Sequence, residues 1–265
     1  MLNDFTYSPT SVMRSILASP AIVLRSWPFG ESDKIVSFLT ERYGKITGIA
    51  KGAKRSRKRF ANTLELFSLV NVRFQERAHS TLVFLHACEL IRAFKDLITS
   101  LEKIAHASYL VEIVEGLTGE REENPILFEH LKDGLAHIEE KGPSLSFLVF
   151  FELKVLKLAG YQPMLERCRR CGKGWERSLK TPWRFSPADG GILCEFCSTL
   201  RRDVIPLSPE ALEALLNLQK SDGISWEHGL PPSVLEESRS ALLQFIQYQT
   251  NKELKSARFI EAFSF

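Results

Sequence analysis

Four of the five cysteines fall into two C-x-x-C pairs, Cys168 with Cys171 and Cys194 with Cys197, separated by 22 residues. This spacing constrains the chain more than any other feature. A C-x-x-C turn sets two sulfurs on one side of a tight loop, and two such turns facing each other present four thiolates in a tetrahedron. That donor set favours Zn2+. Gly172-Lys173-Gly174 after the first pair and Asp189-Gly190-Gly191 before the second fit the turns of a small ribbon. The competing reading is a redox dithiol, but redox chemistry needs only one pair. A catalytic zinc would keep an open position and recruit His or a carboxylate, and no His lies between Cys168 and Cys197. The expectation is one structural Zn2+ in a module spanning 164–205. Paired cysteines of this kind also suit a reducing compartment better than a disulfide framework does.

Charge is distributed unevenly around the formal net of +3. Residues 1–90 hold 13 Lys or Arg against 7 Asp or Glu, and residues 161–205 hold 9 against 5. The segments 91–160 and 206–265 are acidic. Two separate basic blocks suit a partner that is itself a polyanion.

The first basic block reads as strands. Short runs near Ala21–Ser26, Lys34–Thr40, Gly44–Ala50, Leu66–Phe74 and Thr81–Glu89 are rich in β-branched and aromatic residues. Turn signals at Pro28-Phe29-Gly30, Arg42-Tyr43-Gly44 and Arg77–Ser80 separate them. Five strands in about 70 residues predict a small closed barrel of the OB type over 20–91. Residues 1–19 read as an N-terminal extension without a signal-peptide pattern. Directly after the third run come Lys51, Lys54, Arg55, Arg57, Lys58 and Arg59, six cations in nine residues. Such a cluster repels itself unless an anion neutralises it. Gly52, Ala53 and Ser56 let a phosphate approach the backbone, and Phe60, Tyr43, Phe67 and Phe74 are candidate base-stacking surfaces. The competing reading is a solvated basic loop. In the cysteine module, Arg169, Arg170 and Lys173 are candidates for a second phosphate-contacting surface, against the alternative of an ordinary solvated rim.

Elsewhere the period becomes helical. Residues 92–163 carry three helical patterns and 206–260 two more, so the fold class is α+β: a barrel, a helical bundle and a cysteine module inserted into the bundle. No stretch is long and apolar enough for a membrane span, and the chain is expected in the cytoplasm. Phosphate-binding glycine motifs, HExxH and the nucleophile elbow are all missing. His86 and Cys88, two apart on a predicted strand, would share a face and make the one conceivable nucleophile–base pair.

Taken in order, several stretches resemble the bacterial RecO recombination and repair family. They are Ala21-Ile-Val-Leu-Arg25 with Gly30-Glu-Ser-Asp33, Phe38-Leu-Thr40, Gly44-Lys-Ile46 and Ala50-Lys-Gly-Ala53. Leu158-Ala-Gly-Tyr161, Cys168 and Cys171 with Gly172, Phe185-Ser-Pro187, Gly190-Gly-Ile-Leu-Cys194 with Cys197, and Leu254-Lys-Ser-x-Arg258-Phe259 follow. The resemblance covers the chain from about residue 20. It implies a non-catalytic mediator that binds single- and double-stranded DNA and anneals complementary strands near the nucleoid. It further implies partnership with RecR and with the acidic C-terminal tail of single-stranded-DNA-binding protein, and help in loading RecA.

Overall fold

The computed structural model describes residues 15–176, 182–221 and 229–261; residues 1–14 of the expected extension lie outside them. Strands β1 (Leu17–Phe29), β2 (Asp33–Thr40), β3 (Gly44–Ala50), β4 (Leu69–Gln75) and β5 (Val83–Arg92) close into a barrel of order β1-β2-β3-β5-β4. All neighbours are antiparallel except β3 with β5, and β1 pairs with both β2 and β4. This is the OB arrangement. Its interior is filled by Val23, Val36, Phe38, Ile46, Val70, Val72, Phe74 and Leu85.

Two sequence expectations about the strands are corrected. The barrel begins at Leu17 rather than residue 20, because Leu17, Ala18 and Ser19 pair with Phe74, Arg73 and Val72. The fourth strand begins at Leu69 rather than Leu66, because Phe67 sits at φ 67°, a left-handed conformation that no strand residue adopts. The His86–Cys88 pair also fails. The β4–β5 register shifts between Arg73 and Phe74, where His86 is the unpaired residue, so inward positions run Val83, Leu85 and then Cys88. Cys88 is buried, and that burial pushes its thiol up to about 12, leaving it protonated.

The helical body is built from α1 (Leu101–Leu117), α2 (Pro125–Lys141), α3 (Leu145–Leu158), α5 (Pro209–Lys220), α6 (Pro232–Thr250) and α7 (Lys255–Glu261). Side chains of Ser100, Asn124, Ser144 and Ser208 cap α1, α2, α3 and α5. The last long helix stops at Thr250. Asn251 turns left-handed there, so α7 is a separate piece. The cysteine-bearing segment holds the sheet β7-β6-β8 (Gly191–Leu193, Trp183–Ser186, Ile205–Leu207) and the short α4 (Glu195–Ser198). Phe185 of this sheet meets Phe245 of α6 edge-on at 5.5 Å, and the two share one core with the bundle.

Barrel and bundle are joined through polar backbone. Lys45 Nζ donates to the Glu115 and Thr118 carbonyls at 2.9 and 2.6 Å, and Arg121 N–H donates to the Lys45 carbonyl at 2.9 Å. Gly44, at φ 62°, lies against the Glu122 backbone so closely that a Cβ would stand 2.2 Å from its carbonyl oxygen. Inside the bundle Tyr109 and Glu152 are fully buried: Tyr109 donates to Glu152 at 2.6 Å, and Nε of the partly buried Arg239 stands 3.6 Å from the same oxygen. Burial outweighs both partners and pushes the Glu152 carboxyl up to about 7. A raised carboxyl is protonated in the folded chain while the unfolded chain has ionised, so stability falls as pH rises from about 4.5 to 7. Denaturant unfolding at pH 5 and pH 8 should show wild type losing on the order of 1–3 kcal/mol relative to Glu152→Gln across that interval. Parallel pH curves for the two proteins would show that Glu152 titrates normally.

Candidate metal centre and nucleic-acid interface

The Sγ atoms of Cys168, Cys171, Cys194 and Cys197 all lie within 4.8 Å of one another. The first turn is shaped by Cys168 N–H donating to the Lys173 carbonyl at 2.8 Å and Gly172 N–H to the Cys168 carbonyl at 3.0 Å. Gly172 takes φ 75°, which L side chains avoid. The second turn opens from β7 into α4, where Ser198 N–H reaches the Cys194 carbonyl. Arg169 N–H donates to the Ile192 carbonyl at 2.8 Å and holds the two turns face to face.

The thiols are unequal. Burial opposes ionisation of Cys168, but N–H groups of Cys171, Cys194 and Arg170 outweigh it and bring this thiol down to about 6. Burial and the neighbouring sulfurs push Cys197 up to about 12. Four sulfurs this close cannot all ionise without a cation among them, and a dication is what such a set could hold.

Asp189 organises the surroundings. Its carboxylate accepts from Arg201 at 2.8 Å through both Nε and Nη2, from Ser186 at 2.7 Å and from Arg170 at 3.1 Å. The Arg201 bonds dominate and draw its carboxyl down to about 2. Nothing in the sequence marked Asp189 beyond its place before two glycines, since its arginine partners are 12 and 19 residues away. The three expected DNA contacts of the module therefore differ. All are exposed, but Arg170 is ion-paired with Asp189 and the Arg169 guanidinium rests on the Asp189 carbonyl at 3.2 Å. Lys173 meets no carboxylate among the described residues.

The cationic loop fills the β3–β4 connection. Ala53, Phe60 and Leu64 are buried in the barrel core, while Lys51, Lys54, Arg55, Arg57, Lys58 and Arg59 are all exposed. Asp33 accepts the Gly52 N–H at 2.8 Å, a bond that holds its carboxyl below the usual range. Cys88 N–H donates to the Arg59 carbonyl at 2.9 Å. Two of the six cations bind backbone: Lys54 Nζ donates to the Gly30 carbonyl and Arg59 to the Lys51 carbonyl, both at 2.8 Å. No carboxylate of the described residues forms an ion pair with any of the six.

The aromatic surfaces expected beside this loop are not available. Phe60, Phe67 and Phe74 are core, and Tyr43 packs edge-on against Phe74 at 5.4 Å. In their place Phe29, half exposed at the β1–β2 hairpin tip, precedes the carbonyl that Lys54 grips. Arg25 lies over the Trp27 ring at 5.2 Å two residues earlier.

The fold and these two sites define a class: an OB-type barrel bearing an open cationic loop, joined to a helical body that carries a four-cysteine cluster. Family models for Recombination protein O match residues 13–94, as its N terminal part, and 98–258, as its C terminal part. DNA repair protein RecO of Syntrophus aciditrophicus (strain SB) is 34% identical over 251 residues, covering 94% of this chain and 96% of its own. DNA repair protein RecO of Myxococcus xanthus (strain DK1622) is 35% identical over 241 residues, covering 91% and 95%. The protein of the same name in Caldanaerobacter subterraneus is 32% identical over 246 residues, 92% and 96%. The chain belongs to the RecO family, and its role lies in DNA repair. Among the described residues, no helix is long and apolar enough to cross a membrane.

If the cluster holds an ion, the purified protein should carry about one metal per chain by elemental analysis, and Cys168→Ser close to none. Because the sheet shares the bundle's core through Phe185, far-ultraviolet circular dichroism should change little, while proteolysis within 164–203 should accelerate on chelation. Full metal retention in Cys168→Ser would remove the cluster from consideration as a binding site.

Proposed function

We propose that this protein is a non-catalytic recombination mediator that binds single- and double-stranded DNA, with Lys51, Lys54, Arg55, Arg57, Lys58 and Arg59 as the principal phosphate cradle. The observation that carries this reading is that all six cations are exposed and, among the described residues, none is ion-paired with a carboxylate. Packing like charges together costs free energy, and a polyanion recovers it by releasing its own counterions on contact. Phe29 takes the stacking role beside the loop. The cysteine cluster holds one structural Zn2+, the metal that a four-thiolate tetrahedron favours. Lys173, and the Arg169 and Arg170 side chains that Asp189 orients, supply a second and weaker phosphate surface on that module.

Three units divide the work in this reading: the barrel, the helical body and the cysteine module inserted into it. Two basic surfaces on one rigid body can hold two backbones close together and lower their mutual repulsion, which is what strand annealing requires. No reacting group has to be supplied. The same reading makes RecR and single-stranded-DNA-binding protein its partners in helping RecA onto coated strands in the cytoplasm. Of the cations on 91–160 that an acidic tail could meet, Arg121 and Lys132 are ion-paired with Glu76 and Glu129, and Lys103 Nζ donates to the Glu139 backbone carbonyl. Lys95, Lys154 and Lys157 have no carboxylate partner among the described residues and are the better candidates.

The test is the salt dependence of binding to mixed-sequence oligonucleotides. Contact of all six loop cations with a single strand gives a slope of log K against log salt of about −4 at most. Replacing Lys54, Arg55, Arg57 and Lys58 with Glu should weaken binding across sequences by at least ~100-fold at low salt and flatten the slope by about 3. Unchanged affinity and slope would remove the loop from the interface.

A further inference from the structure

Phe196 is 76% exposed and Leu200 is 64% exposed, although both belong to the most tightly constrained part of the cysteine module. Phe196 sits between Cys194 and Cys197 on α4, whose opposite side is fixed by those buried sulfurs. Leu200 follows four residues later, where Thr199 Oγ1 donates to the Phe196 carbonyl at 2.8 Å and Arg201 N–H to Ser198 at 3.1 Å. The apolar pair is therefore held outward on a short, rigid turn. Scattered surface apolar residues need no explanation, but a phenyl ring this exposed on a fixed backbone keeps its face open to a planar partner.

The surroundings select the partner. The first cysteine turn, with Arg169, Arg170 and Lys173, meets the second at the sulfurs, where Cys171 and Cys194 Sγ are 3.7 Å apart. Arg201 and Arg170 share the single carboxylate of Asp189, so a positive charge is left over there. Arg202 is exposed and meets no carboxylate among the described residues. The described residues of 161–205 hold seven cations against five carboxylates, Glu195 and Asp203 among them. The formal −2 of four thiolates around a dication would offset that excess overall, so the positive character is local, at Arg201 with Arg170 and at Arg202. A ring with an open face inside a cationic setting matches a single-stranded polynucleotide, whose bases stack while its phosphates pair with Arg and Lys.

We infer that Phe196, with Leu200 beside it, is a stacking platform for an unpaired nucleobase, which makes the cysteine module a single-strand site separate from the barrel loop. This rests on the DNA-binding reading above and adds to it. Stacking needs a splayed base, so the platform engages single strands and not intact duplex. It contributes no counterion release, so losing it lowers affinity without changing the salt slope.

The experiment compares wild type, Phe196→Ala and the four-residue loop reversal on oligo(dT) and on duplex of equal length, at several salt concentrations. Phe196→Ala should weaken oligo(dT) binding about tenfold, in line with the usual worth of one stacked base, with unchanged slope, duplex affinity and metal content. Photocrosslinking with 5-iododeoxyuridine oligonucleotides should mark Phe196. The ring is exposed, so its removal should leave the fold intact, and circular dichroism checks this. Unchanged oligo(dT) affinity with no crosslink at Phe196 overturns the platform, and so does an equal loss on duplex. If the loop reversal still weakens binding in that case, the barrel reading survives. If neither variant weakens binding, the DNA-binding reading falls with it.

Discussion

Six positive charges within nine residues would drive a free loop apart, and what keeps them together here is attachment from beneath. Ala53, Phe60 and Leu64 are buried in the barrel, Asp33 accepts the Gly52 N–H, and the Arg59 carbonyl accepts from β5. Repulsion between the side chains is thus borne by a backbone that cannot relax it. The charges stay crowded at one place on the surface, which raises the positive potential there. The nearby carboxylate of Asp33 accepts the Gly52 N–H and, though Lys51 and Lys54 help keep it ionised, forms no ion pair with the six cations.

The helical body matters through rigidity. Lys45 turns inward to two carbonyls of α1 and its end, and Gly44 admits the Glu122 backbone at a distance that no side chain tolerates. The cysteine module is fixed at the other side by Phe185 against Phe245. Both basic surfaces are therefore carried on one framework. A metal held by the cysteines would have a narrow task. The small sheet borrows the bundle's core, so an ion would have only to hold the two cysteine turns together.

The parts legible in the sequence were those with local signatures. Alternation marked five strands, and cysteine spacing marked the cluster. The misreadings came from long-range effects. Ser19-Pro20 looks like a break, but Pro20 pairs opposite Asn71 inside β1, while its carbonyl accepts from Glu41. The extra residue at His86 rotates Cys88 into the core, and no two-residue pattern can show a bulge. Exposure was harder still. Phe60, Phe67 and Phe74 are no different in composition from Phe29 and Phe196, and only the fold decides which rings are spent on packing. Arg170 and Lys173 look equivalent until Asp189 is brought 19 residues back to one of them.

On the proposed reading, open cationic surface brings strands together and no reacting group is needed. Fluorescence-monitored annealing of complementary oligonucleotides, with and without single-stranded-DNA-binding protein on them, tests it most directly. Annealing should accelerate without a divalent ion, leave the strands intact and fade steeply between ~50 and ~200 mM salt. Acceleration indifferent to salt, or strand loss that depends on Mg2+, would contradict it.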